Sequence, residues 1–89
     1  MTNHDFSSSL QSAGFILEHF NSNNPWGFGG ADGFRFTRGD VVVKSARAYC
    51  RNPLLNTDFV TVTIRGRRVY DEVRKEDTLA RALEIALAN

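Results

Sequence analysis

GFRFTRGDVVVKSARAYC, residues 33–50, is the stretch on which the fold turns. Phe34 and Phe36 alternate with Arg35 and Thr37, Gly39-Asp40 has the form of a glycine-first two-residue hairpin turn, and Val41, Val42 and Val43 open the returning strand. A two-residue loop sets Phe36 opposite Val43 and Phe34 opposite Ser45. Phe34, Phe36, Val41 and Val43 then share one face, the face expected to be buried. The same alternation carries Arg47 and Tyr49 onto that face. Two resolutions are open: a bulge near Ser45 that reverses the register, or a strand that runs past the edge of the core.

Downstream, RNPLLNTD (51–58) reads as a loop in which Leu54 and Leu55 either fold back on the core or form an exposed sticky point. Residues 59–65 form a third strand, with Val60, Val62 and Ile64 inward and Thr61 and Thr63 outward. Gly66-Arg67 reads as a second glycine-first turn, and RVYDEV returns as a fourth strand that sets Val69 against Ile64 and Val73 against Val60. KEDTLARALEIALAN is helical, started by Asp77 or Thr78, with an apolar stripe of Leu79, Ala82, Leu83, Ala86 and Leu87.

Upstream, Phe6, Leu10, Ala13, Leu17 and Phe20 follow the three-and-four spacing of one helical face, which predicts a helix over residues 7–20. Asp5 or one of Ser7, Ser8 and Ser9 caps it, Ser8 and Gln11 have capping-box spacing, and Gly14 costs it about 1 kcal/mol. NSNNP then stops it at Pro25. The order is helix, four strands in two hairpins, helix (α-β-β-β-β-α). Two amphipathic helices and an antiparallel meander predict an α+β two-layer sandwich, with a three- to four-stranded sheet whose second face stays wet. That wet face would display Arg35, Thr37, Lys44, Thr61, Thr63 and Tyr70.

Eighty-nine residues make one domain, 1–89. Cys50 is the single cysteine, read as a small strand residue, so neither an internal disulfide nor a multi-cysteine zinc site is expected. The N-terminus lacks the basic and apolar regions of a secretory signal, and no apolar run approaches the ~20 residues that span a bilayer, so the expectation is a soluble cytoplasmic protein without membrane contact. The net charge of +1 hides an uneven distribution. Residues 1–34 carry no Lys or Arg, whereas residues 35–75 hold ten of the eleven basic residues against four acidic ones. The last fourteen residues turn acidic again.

Residues 27–33, GFGGADG, superficially resemble a dinucleotide fingerprint. The third glycine is one place late, and the segment joins a helix to a strand where the fingerprint requires the reverse. It reads instead as a crossover in which Trp26 and Phe28 either plug the end of the core or stand as interface anchors. Arg38-Gly39-Asp40 spells an adhesion tripeptide that the hairpin turn fully explains. His4 and His19 have no metal-ligand spacing, and adjacent Asp71 and Glu72 point to opposite faces of a strand, so no catalytic, cofactor or metal site is expected. The serines lack a nucleophile elbow.

The basic block is the remaining signal. Arg65, Arg67 and Arg68 crowd one hairpin tip, Arg38 sits at the other, and Arg35, Lys44, Arg47, Arg51, Arg74 and Lys75 extend the block. Such charges either guard sheet edges or form a footprint for phosphates or an acidic protein surface.

The α-β-β-β(-β)-α order is similar to that of double-stranded-RNA-binding domains, but those carry a Lys-rich entry to the last helix. Here RKEDTLARAL (74–83) places Glu76 and Asp77 after Arg74 and Lys75. As a whole, a cofactor-less α/β chain of this size resembles the small phage-encoded inhibitors of host defences, anti-CRISPR proteins included. That resemblance implies a non-enzymatic inhibitor that blocks a nucleic-acid-processing protein or ribonucleoprotein complex sterically and electrostatically. The residues expected to touch the partner are Trp26, Phe28, Arg35, Arg38, Lys44, Arg47, Arg65, Arg67, Arg68 and Tyr70. The alternative is a nucleic-acid-binding module in which Arg35, Lys44, Arg65, Arg67 and Arg68 meet phosphates and Tyr70 stacks on a base. A homodimer is compatible with either.

Overall fold

The structure is a computed structural model that describes residues 1–22, 30–49, 54 and 56–89. The elements are α1 (Asn3–Ser12), β1 (Ile16–Ser22), β2 (Ala31–Arg38), β3 (Val41–Ala48), β4 (Thr57–Ile64), β5 (Arg67–Val73) and α2 (Thr78–Leu87). The strands make one antiparallel sheet in the order β1-β2-β3-β4-β5. Both helices lie on one face of it, α1 against α2 and α2 across β3, β4 and β5. The α+β sandwich is therefore the architecture, with five strands where three to four were expected.

The extra strand comes from the segment predicted to prolong the first helix. α1 starts earlier than expected: Thr2 is its N-cap and forms a capping box with Asp5. It ends at Ser12, because Gly14 has φ +94°, a left-handed conformation that a helix interior does not allow and that glycine adopts without penalty. The Phe15 N–H folds back onto the Leu10 carbonyl (3.0 Å), and Ile16 begins β1. Phe6 and Leu10 remain the buried face of the helix, while Leu17 and Phe20 belong to the strand.

The hairpin at the centre has the register its sequence dictates, Phe36 opposite Val43 and Phe34 opposite Ser45, around Gly39 at φ +56°. That register runs unbroken to Ala31 opposite Ala48. No bulge intervenes at Ser45, so β2 and β3 run past the core. Phe36, Val41 and Val43 are buried, whereas Phe34 is 49% exposed because the helices do not reach it.

Val60 and Val62 are fully buried and Ile64 packs at the margin, as the alternation predicted. The second turn is Arg65-Gly66, one residue earlier than expected, with φ +54° and +78°. A bulge between Val62 and Thr63 then shifts the pairing, so Ile64 faces Arg67 and Val60 faces Glu72. Val69 and Val73, expected inside, are 46% and 53% exposed. Tyr70 moves the opposite way, from the wet face to opposite Val62 on the helix side, where it packs against the core.

The core is completed by Phe15, Leu79, Ala82 and Ala86, with the Phe6 and Phe36 rings edge to face at 5.8 Å. Thr78, 2% exposed, accepts the Lys75 N–H (2.8 Å) and donates to the Val73 carbonyl (3.2 Å), locking β5 to α2. Leu54 is 90% exposed, while Leu55, Cys50 and the crossover with Trp26 and Phe28 lie outside the described residues.

Two substitutions test this backbone in opposite directions. A Cβ at Gly33 would overlap the Ser45 carbonyl oxygen and the Ala46 backbone, so Gly33→Ala should lower urea-unfolding stability by about 1–3 kcal/mol. Arg65→Asn, at a left-handed position that asparagine tolerates better, should raise it by up to about 1 kcal/mol.

Candidate interaction surface

Phe36, Val43 and Val62 point toward the helices, so the residues between them point away, and the registers align these in rows across all five strands. One row is Phe20, Gly33, Ala46, Phe59 and Val73, wholly apolar. Beside it runs Glu18, Arg35, Lys44, Thr61 and Asp71, and beyond that Ile16, Thr37, Val42, Thr63 and Arg68. Among the described residues no helix covers this face, yet Ala46 and Thr61 are only 7% and 2% exposed. Ile16 and Val73 stand open at the two margins.

The charged row is arranged in pairs. Arg35 Nη2 donates to Glu18 Oε2 at 2.8 Å, Arg68 Nη1 donates to Asp71 Oδ2 at 3.2 Å, and Lys44 Nζ lies 5.4 Å from the centre of the Phe20 ring. The Lys44 contact is a cation–π contact that stiffens the apolar row against its charged neighbour.

The other predicted partner-binding residues are dispersed. Arg38 is turned inward, donating to the Ala13 carbonyl (2.8 Å) with its guanidinium 4.6 Å over the Phe15 ring. Arg47 faces the helix side and grips Asp58 with both Nε (2.8 Å) and Nη2 (3.3 Å). Arg65 lies at a hairpin tip, 3.7 Å from Asp40, and Arg67 is exposed beside it. Tyr70 is a core-side residue, and Trp26 and Phe28 fall outside the described residues. The sheet thus brings together Arg35, Lys44 and Arg68 on one face and scatters the rest. Phe20, Ala46, Phe59 and Val73 were not anticipated. The outward position of Phe59 was readable from its alternation with Val60, but those of Phe20 and Val73 depended on the helix stop and the bulge.

A second concavity lies at the end of the helix-covered face, a groove of about 460 Å³ between the start of α1 and the overhanging part of β2 and β3. Phe34 lines it, with the His19 ring edge-on at 5.6 Å and His19 Nε2 2.9 Å from Asp32 Oδ1. The Arg47–Asp58 pair lines its far wall. Among the described residues no group of three or more His, Cys, Asp or Glu side chains could hold a metal ion, and no helix is long and apolar enough to cross a membrane.

Comparison with protein-family models, with curated proteins and with solved structures finds no match to this chain.

Hydrogen bonding to Arg47 holds the Asp58 carboxyl below the usual carboxylate range, and the Thr2 hydroxyl and backbone N–H do the same for Asp5. Both carboxylates therefore contribute stability that is complete above the unfolded value, about 4, and is lost as pH falls through the lower folded value. Urea midpoints of the native protein and Asp58→Asn should differ by a constant amount between pH 5 and 7 and converge below pH 4; a gap that widens in acid would contradict the pairing.

Proposed function

We propose that this chain is a non-enzymatic binding protein that acts by occupying a site on a larger protein or ribonucleoprotein. In its most concrete form it is an inhibitor of a nucleic-acid-processing complex of the CRISPR type, and the block is steric and electrostatic. The observation that carries the reading is the apolar row Phe20-Gly33-Ala46-Phe59-Val73 on a sheet face that neither α1 nor α2 covers, flanked by Glu18, Arg35, Lys44 and Asp71. An apolar strip with a polar, charge-bearing border is the anatomy of protein interfaces. Phe20 and Phe59, held on the same row of the sheet, are well suited to act as anchors. The resemblance in size and organisation to phage-encoded inhibitors supports the choice of target class.

Direct phosphate binding has weaker support. Arg35, Arg47, Arg65 and Arg68 each have a carboxylate of the same chain between 2.8 and 3.7 Å away, so three of the five cations expected to meet phosphates, Arg35, Arg65 and Arg68, already face a carboxylate. A nucleic-acid backbone would have to displace Glu18, Asp58, Asp40 and Asp71 to reach them.

Val73→Glu and Val42→Glu place a charge on the open face without entering the core. Each should weaken inhibition in a CRISPR-interference plasmid-loss assay by about tenfold or more and leave the urea-unfolding free energy within about 0.5 kcal/mol of the native protein's. Gel shifts with RNA and DNA at 50 and 200 mM salt complete the test. Tight binding with a steep salt slope, unaffected by Val73→Glu, would replace the proposed reading with the nucleic-acid one.

A further inference from the structure

The two edges of the sheet are protected very differently. The β5 edge carries the Val69 bulge, the charges of Arg67, Arg68, Asp71 and Glu72, and contact with α2. Each of these discourages strand addition. The β1 edge has no bulge and a single charge, Glu18, and its helix contact is with α1. Ile16–Ser22 contains no Lys, Arg or Pro, pairs with β2 in an unbroken register, and has six exposed residues of seven. Ile16 is 67% exposed, and the His19 side chain is 60% exposed.

Hydrogen-bond alternation fixes which backbone groups this edge presents. The two-residue turn makes Arg38 and Val41 a bonded pair, and the Tyr49 N–H on the Gly30 carbonyl (2.9 Å) continues the same ladder. Even-numbered residues of β2 therefore bond to β3, and the odd-numbered ones to β1. In β1 it follows that Ile16, Glu18, Phe20 and Ser22 bond inward, while Leu17, His19 and Asn21 direct N–H and C=O outward. These three are symmetric about His19.

We propose that the β1 edge pairs antiparallel with β1 of a second copy of this chain, with His19 on the two-fold axis. An isologous contact requires a surface complementary to itself, and this one is. Leu17 meets Asn21 of the other copy, His19 meets His19, and every outward donor faces an outward acceptor. The symmetric register centred one residue lower, half a step along, would instead set Glu18 against Glu18 in the close, non-bonded arrangement, which like charges disfavour. The strand bears the single charge of Glu18, already held by Arg35, so two copies meet without strong repulsion. A two-fold axis normal to the sheet leaves both helical layers on one side and joins the two uncovered faces into a ten-stranded surface.

Sedimentation equilibrium from micromolar to millimolar concentration tests the proposal on the full chain. A monomer–dimer equilibrium is expected, and His19→Pro should weaken it by about tenfold or more, because proline removes an outward N–H without touching a backbone bond to β2, although the side-chain contact with Asp32 is lost. Unchanged far-ultraviolet circular dichroism confirms that the variant folds. His19→Cys in a Cys50→Ser background gives an independent reading: bonded antiparallel partners stand about 5.5 Å apart at Cα, within disulfide range, so mild oxidation should yield a covalent dimer. A protein monomeric at millimolar concentration, a dimer indifferent to His19→Pro, or a His19→Cys protein that does not cross-link would each overturn it; association of β1 with an extended segment of another protein would then be the surviving use of the edge.

Discussion

Arg38 is the interaction on which the rest of the structure depends. Its guanidinium donates to the Ala13 carbonyl at the end of α1 (2.8 Å), lies 4.6 Å over the Phe15 ring, and reaches the Asn89 carbonyl beyond the end of α2 (3.4 Å). A cation at these two helix C-termini meets the negative ends of both dipoles and satisfies carbonyls that helices leave unpaired. The contact also lies beside Gly14, where an added Cβ would rest 3.7 Å from Arg38 Cδ. Together, Gly14 and Arg38 turn the chain out of the helix and into the sheet, and so create β1. Without that stop, Leu17 and Phe20 would continue the helix, the sheet would end at β2, and the apolar row would lose its first member.

The uneven legibility of the sequence follows from this. The central hairpin was readable residue by residue, because a glycine-first two-residue turn leaves one register and the valines leave one buried face. α2 was readable for the same local reason, its stripe reappearing in buried Leu79, Ala82 and Ala86. Residues 15–20 were not, since FILEHF satisfies two periodicities: Leu17 and Phe20 prolong the spacing of Phe6 and Leu10, while Ile16, Glu18 and Phe20 alternate with Phe15, Leu17 and His19. What separates the two is Gly14 as a stop rather than a tolerated interior glycine, and its partner Arg38 is twenty-four positions away in the chain.

The basic block misled for a related reason. Its arginines are adjacent in sequence or on adjacent strands, but the sheet distributes them over two faces, two tips and the interior. Arg38 serves the fold, Arg47 grips Asp58, and Arg35 and Arg68 are matched by Glu18 and Asp71. What the sheet does assemble is the apolar row, three of whose members were invisible until the helix stop, the register and the bulge were known. The surface proposed for binding is thus a product of tertiary structure rather than of any motif.

The most direct measurement of the central claim is residue-resolved amide exchange along residues 15–22 at low protein concentration. An edge strand beginning at Ile16 predicts alternation: slow exchange at Glu18 and Phe20, whose N–H groups face β2, and fast exchange at Leu17, His19 and Asn21, whose N–H groups face outward. Uniform protection through Phe20 with helical carbon shifts would show that α1 does not stop at Gly14, and with it β1, the free edge and the completed apolar row would fall.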